Sequence, residues 1–384
     1  MARLINAHCH LLNYQFIPPS CFKTRSALTE YLVRLKGTVP LVRMLVSLLP
    51  KKGFHRLHDA IALMKLDLEA VAKRLRAEMD EAGIQLAVPL MMDLGRSSFK
   101  ENPPVPFTFQ IKMLSDISLE HLGVIMPFVM VDPRRGRASE TTIRSLEQLG
   151  FLGIKMYPPL GYHPDPFSIF NEPPVNEELY KIYEYCESHE VPITTHCSPG
   201  GAYSSDLVRA KSVRLEFTKP WSWAGVLKRF PKLYLNLAHF GQDITRIKEP
   251  SSWAAGIRDL IHTYPNVYTD LAYNSKALRS GTSRQYFAVL NQLIDKDPLM
   301  RDKVLFATDW AMTRHTWREV EYVDPFRKNL DDAKMQRLGI ENSLNFLFPQ
   351  RKLPDRVAGF LKANGKSPSD LPKWLLANLI IGRE

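Results

Sequence analysis

The sequence predicts an α/β protein built as a (β/α)8 TIM barrel, with a helical insertion after the first strand and a C-terminal helical tail. Three observations carry the prediction. Short apolar runs rich in β-formers alternate with helical patterns, mostly across Gly or Pro, as βα units on a parallel sheet require. The runs number eight, which favours a closed ring over an open sheet. The chain has 384 residues, 45% hydrophobic and 24% charged, a length and composition that suit one such barrel with insertions. Residues 1–384 are therefore read as a single barrel, with 11–66 as the insertion and 353–384 as the tail.

Arg3–Cys9 is expected as the first strand. A helix over Asp67–Ala82 stops at Gly83, where a left-handed residue commonly ends a helix, and Ile84–Met91 follows as the second strand. Val124–Val131 is the third, ending in the turn Asp132–Gly136. The helix Ser139–Leu149 and Gly150 precede the fourth strand, Phe151–Tyr157. The pattern repeats as helix Asn176–His189 with strand Val191–His196, and helix Pro220–Phe230 with strand Leu233–His239. It continues as Trp253–Tyr264 with Val267–Leu271, then Arg284–Lys296 with Lys303–Thr308, and Ala333–Phe346 closes it. Helical patterns near Ser26–Lys36 and His55–Lys65 would make the insertion either a lid over the C-terminal face or a subunit contact. The tail carries Trp374, Leu375, Leu376, Leu379, Ile380 and Ile381, a stripe suited to docking on the barrel or on a second copy of the chain.

The net charge is +11 and the pI near 9.4, but the basic residues are spread along the chain. Without a Lys/Arg block or aromatic–basic interleaving, this argues against a nucleic-acid partner and for a small-molecule substrate. Cys9, Cys21, Cys186 and Cys197 form no CxxC pair, and the apolar run Arg3–Ala7 has no signal-peptide character. A reducing, cytoplasmic setting with free thiols is expected. No run reaches the length of a membrane span; Val39–Leu49 is short and interrupted by Arg43.

His8-Cys9-His10 ends the first strand, and alternation puts both imidazoles on one side. With 11 histidines in 384 positions, chance alone gives roughly 0.3 such pairs, so the pair by itself is weak. Position strengthens it. His196 ends the fifth strand, His239 the sixth, and Asp309 follows the eighth, so all five groups converge on one barrel mouth. Imidazoles and a carboxylate gathered in this way suit a divalent metal.

This arrangement resembles the amidohydrolase superfamily, and within it the amidohydrolase-related group that includes aminocarboxymuconate-semialdehyde decarboxylase and several lactonases. Glu81-Ala-Gly-Ile84, Gly153-Ile-Lys-Met-Tyr-Pro-Pro159 and Thr195-His-Cys-Ser-Pro199 extend the similarity, whereas 11–66 and the tail match nothing named. The resemblance implies a metal held by His8, His10, His196 and Asp309. Asp309 would also act as proton carrier, and His239 would polarise a carbonyl or hold water. One departure stands out: the family often has Asp two residues before the first histidine, and this chain has Asn6. Zn is favoured, with Mn or Fe as alternatives.

Lys155 has three readings: a carbamylated bridge between two metals, an ammonium that grips an anionic substrate, or a salt bridge inside the barrel. Tyr157, Tyr162, His163, Tyr203, Trp310, Arg314 and His315 form an expected aromatic and basic rim, suited to a small anionic, ring-bearing substrate. The expected reaction is hydrolysis of an amide, lactone or ester-like bond. Decarboxylation on the same site is the alternative. A TatD-like metal-dependent nuclease fits less well, since that family expects Glu at the position of Lys155. A non-enzymatic ligand-binding barrel would leave the ligand set without a chemical reason.

Overall fold

The computed structural model describes residues 3–19, 56–96, 101–201 and 211–380. The expected helix near Ser26–Lys36, the run Val39–Leu49, and Cys21, Tyr203 and Ile381 lie outside the described residues. Eight parallel strands follow in chain order: β1 (Leu4–Cys9), β2 (Ile84–Pro89), β3 (Phe128–Val131), β4 (Gly153–Met156), β5 (Ile193–Thr195), β6 (Leu235–Leu237), β7 (Val267–Asp270) and β8 (Val304–Leu305). β1 pairs with β2, and β3 to β8 pair successively. Parallel bridges Ala87–Ile125 and Leu90–Phe128 join the pair to β3, and Cys9–Trp310 joins it to β8. At the last seam the Ala7 N–H donates to the Phe306 carbonyl (3.1 Å) and the Asp309 N–H to the His8 carbonyl (2.8 Å). The strand order thus runs from first to eighth and returns to the first, as the TIM-barrel fold requires.

Each strand is shorter than its apolar run: β1 and β3 start later than expected, and the other six end earlier, before their runs reach the mouth. The helix α1 (Leu57–Met64) belongs to the insertion, and α2 (Leu68–Ala82) is capped by the Asp67 carboxylate and ended by Gly83 at φ +70°. The sequence pattern did not reveal α3 (Phe107–Glu120), whose buried face mixes Ile111, Leu114 and Ile117 with Gln110, Ser115 and Ser118. Nor did it reveal α4 (Glu319–Asn329), where Pro325 imitates a helix break. The expected helix Ala333–Phe346 is divided by a π turn, Arg337–Glu341, before α5 (Asn342–Leu347). That turn frees the Leu338 carbonyl to accept from Phe306 N–H (3.0 Å) and brings Gly339 against Leu4, where a Cβ would lie 2.3 Å from a leucine methyl.

The N-terminal end of the ring is plugged. The Phe346 ring lies 6.4 Å from Phe128 and 5.2 Å from Tyr268, on β3 and β7, opposite each other in the strand order. Leu375 and Leu379 of the tail are buried in the same cluster, so the tail docks on the barrel. No helix among the described residues is long and apolar enough to cross a membrane.

Candidate metal centre

His8 on β1, His10 just after it, His196 after β5, His239 after β6 and Asp309 after β8 meet at the C-terminal mouth, all buried. In each imidazole one nitrogen has an acceptor. His8 Nδ1 lies 3.1 Å from Asp270 Oδ2, and His10 Nδ1 2.6 Å from the Leu90 carbonyl. His196 Nε2 lies 2.7 Å from the Gly200 carbonyl and His239 Nδ1 3.2 Å from that of Ala272. Carbonyls and ionised carboxylates only accept, so these nitrogens carry the protons and the other nitrogen of each ring presents a lone pair.

Those lone pairs converge. His8 Nε2 and His10 Nε2 approach Asp309 Oδ1 at 3.7 and 3.1 Å, and His239 Nε2 faces His196 Nδ1 at 3.1 Å. Acceptor meets acceptor in every case, an arrangement that a cation resolves. His8 Nε2 and Asp309 Oδ1 are buried without a hydrogen-bond partner among the described residues. His8, His239 and Asp309 offer ligand atoms within 4.8 Å of one another.

Protonation states agree with this geometry. Burial, helped by Lys155, pulls the His8 imidazolium down to about 4 against the attraction of Asp270. Burial likewise lowers His239, and burial together with His239 lowers His196 far below the usual histidine range. In the metal-free site burial works to raise Asp309, but a hydrogen bond from His10 and the positive charge of protonated His8, His10 and His239 outweigh it and hold the carboxyl below the usual range, a part that a cation beside neutral rings would take over. Neutral imidazoles and an ionised carboxylate are the forms a metal takes as ligands, so the residues fit a divalent ion.

The backbone is strained at the same place. His239 (φ 68°) and Asp309 (φ 62°) are left-handed, as are their neighbours Phe240 and Ala311 and the nearby Tyr273. Such conformations in non-glycine residues each cost on the order of 1–3 kcal/mol. Gly201, at φ +126°, lets the chain pass the site: a Cβ there would stand 2.3 Å from Tyr157 Oη. Above the site lies a cavity of about 590 Å³, lined by all five ligand candidates, Lys155 and Tyr157.

The sequence matches the amidohydrolase family model over residues 5–348. The chain belongs to the amidohydrolase family. Among solved structures it is similar to 5-carboxyvanillate decarboxylase from Novosphingobium aromaticivorans, with bound manganese and 3-methoxy-4-hydroxy-5-nitrobenzoic acid. That match has a TM-score of 0.56 and 15% identity, covering 90% of this chain and 97% of that one. It is also similar to an amidohydrolase from Burkholderia multivorans with bound HEPES (TM-score 0.54, 11% identity, 90% and 99% covered). A third is 2,6-dihydroxybenzoate decarboxylase from Rhizobium (TM-score 0.51, 14% identity, 90% and 99% covered). No curated protein matches the sequence significantly.

In this amidohydrolase His239, expected beside the metal rather than on it, lies with His8 and Asp309 in the group whose ligand atoms are within 4.8 Å of one another, and His196 adjoins it through His239. Lys155 is buried at the cavity floor, and no described residue gives its ammonium a hydrogen bond or ion pair, so the salt-bridge reading lacks a partner there. Burial lowers its pKa to about 8, against the attraction of Asp270 and Asp309.

Much of the expected rim faces elsewhere. Trp310 is fully buried, its indole N–H donating to Glu78 Oε2 (3.2 Å), and Arg314 is ion-paired to Glu78 Oε1 (2.9 Å). His315 turns Nδ1 to the Met312 carbonyl (2.7 Å). Tyr162 is buried with its hydroxyl accepting from Tyr157 N–H (2.8 Å), and His163 packs against Phe170 and Phe217. Outside that rim, Arg134 and Arg135 of the turn Asp132–Gly136 are held by Asp132 and Asp93. Only Tyr157 of the described rim residues lines the cavity.

Two supporting carboxyls escaped the sequence reading. Asp270, ending β7, accepts from His8, Asn236 and the His239 backbone. Glu319, at the start of α4, accepts from Asn6 Nδ2 (2.8 Å) and Thr308 Oγ1 (3.0 Å). Asn6 thus has a carboxyl beside it, and its Oδ1 accepts from Thr308 N–H (3.1 Å) across the seam that holds Asp309.

Proposed function

We propose that this amidohydrolase is a divalent-metal-dependent hydrolase that cleaves an amide, lactone or ester-like bond of a small molecule. The observation that carries the reading is the set of lone pairs facing one another at the barrel mouth. His8, His239 and Asp309 would hold the ion, with His10 beside Asp309 and His196 beside His239. When bound there, a Zn²⁺ or Mn²⁺ ion polarises a carbonyl and lowers the pKa of water.

The chain's own groups supply the remainder. Asp309, ionised across the physiological range, accepts a proton from the attacking water and returns it to the leaving group. Asp270 keeps the His8 lone pair turned to the cavity. Lys155 offers its ammonium to an anionic or developing negative oxygen. If it is carbamylated instead, a second ion would be held.

Elemental analysis of the purified protein, followed by lactone, ester and amide panels with and without added Zn²⁺ or Mn²⁺, tests this. One divalent ion per chain and metal-dependent turnover are expected, or two ions with a carbamylated lysine. Absence of metal, with no gain on adding any, overturns it. Decarboxylation is the second reading, supported by decarboxylases among the similar structures. Release of carbon dioxide from aromatic acids would select it.

A further inference from the structure

The cavity has a polar floor and an apolar wall. Leu12 and Ile17 after β1, Met64 at the end of α1, Met92 and Leu94 after β2, and Met312 after β8 form that wall. Half of the six are thioethers, unbranched and polarisable, which adapt to the shape of an apolar ligand. None of these side chains offers a strong hydrogen-bond donor. Polar groups on the body of a ligand would therefore leave water without replacement. Charge points the same way. Among the described lining residues Lys155 is the one lysine or arginine and Asp309 the one carboxylate, so with a divalent ion all positive charge sits on the floor and none lies along the wall to meet a second carboxylate. Arg314, two residues after Met312, is already paired with Glu78.

We propose that this site selects a substrate with one compact acyl or carboxyl head and a sizeable apolar body, a medium-chain acyl or arylalkyl carboxylic derivative, and discriminates against di- and tricarboxylates. The proposal rests on the hydrolytic reading of the same cavity. The head occupies the floor between Asp309 and Lys155, and the body lies along the methionine and leucine wall. Water oxygen bonds to the acyl carbon, the bond from that carbon to oxygen or nitrogen breaks, and the leaving atom takes the proton. Acid and alcohol or amine are the only products, and the cavity is of a size that encloses such molecules.

The test is calorimetric titration of the Zn²⁺-loaded protein with butyrate, hexanoate, octanoate and octanedioate. Each added methylene should tighten binding about threefold to fourfold, and octanedioate should bind more weakly than octanoate. A flat series, or octanedioate bound more tightly, overturns the proposal. p-Nitrophenyl esters of the same acyl chains are assayed in parallel. Binding that climbs with chain length while no ester turns over supports this proposal and removes the hydrolytic one. Turnover with chain-independent binding and kcat/KM does the reverse. Met64→Ser and Met92→Ser should flatten the slope, and an unchanged slope in both folded variants counts against the wall. The parent series stands if either variant fails to fold.

Discussion

Replacing Asp270 by Asn exchanges one oxygen for an NH2 group and should cost the site its metal. The parent carboxylate serves four donors, two on each oxygen. Oδ1 accepts from His239 N–H (2.8 Å) and Ala272 N–H (3.1 Å), and Oδ2 from Asn236 Nδ2 (2.8 Å) and His8 Nδ1 (3.1 Å). An amide has one oxygen, so either orientation turns its NH2 against two buried donors. Each donor left unpaired costs about 1–3 kcal/mol, so the variant should lose about 2–6 kcal/mol of stability. If the amide oxygen keeps the backbone pair, His8 Nδ1 meets the NH2. The ring then relaxes by moving its proton to Nε2, where the ligand lone pair is needed. Loss of such a supporting hydrogen bond weakens metal binding roughly 10- to 100-fold. Chelator competition measures the affinity, and denaturant unfolding the stability. A folded Asp270→Asn protein that binds Zn²⁺ as tightly as the parent would refute the tautomer argument.

Asp309→Asn should keep the fold and lose turnover by on the order of a hundredfold or more, because a ligand and a proton carrier are altered together; near-parent kcat would move the proton to another group. Lys155→Met should weaken carboxylate-headed ligands about tenfold or more while metal content holds, whereas loss of metal would identify a carbamylated bridge. Glu319→Gln bears on pH. Burial, reinforced by Glu78 and opposed by the Thr308 hydrogen bond, lifts Glu319 from 4.5 to about 8. A carboxyl raised in the folded state contributes stability that is full below 4.5 and lost as pH rises through about 8. The parent should therefore lose stability between pH 5 and 8 more steeply than the Gln variant in denaturant titrations, and parallel curves would count against a buried, protonated Glu319.

The gathering of His8, His10, His196, His239 and Asp309 at one mouth was legible because barrel chemistry sits at C-terminal strand ends, and His and Asp there carry their meaning in their type. The same rule reaches Asp270 at the end of Val267-Tyr-Thr-Asp, a signal overlooked because histidines dominated the reading. The grouping of His239 with Asp309 was not legible, since it depends on left-handed backbone at both residues. Trp310 and Arg314 follow Asp309 closely in sequence and so were placed in the mouth. The left-handed turn at Asp309 and Ala311 instead carries them to Glu78, a partner more than two hundred residues away that no local pattern encodes. Glu78 itself reads as one more surface charge on α2. In α3 the polar Gln110, Ser115 and Ser118 share the buried face and blur the helical period.

The mouth and the opposite end of the ring have contrary energetics. Left-handed His239 and Asp309, together with lone pairs facing one another, all work against the metal-free fold. The plugged end also has left-handed residues, Glu190, Gln350 and Arg351, but no facing lone pairs of this kind: Phe346 fills the ring, and Leu375 and Leu379 cover it. Apolar packing there offsets what the site costs, as expected when function and stability occupy opposite barrel ends. An ion at a thousand times its Kd would add about 4 kcal/mol to stability by mass action alone. Leu375→Ala, at a fully buried position, should remove about 2–5 kcal/mol and leave the metal Kd unchanged. Metal should then rescue the variant by the same increment as the parent. If Leu375→Ala instead weakened metal binding while stability held, the two ends would be coupled, and the separation argued from the plug would fail.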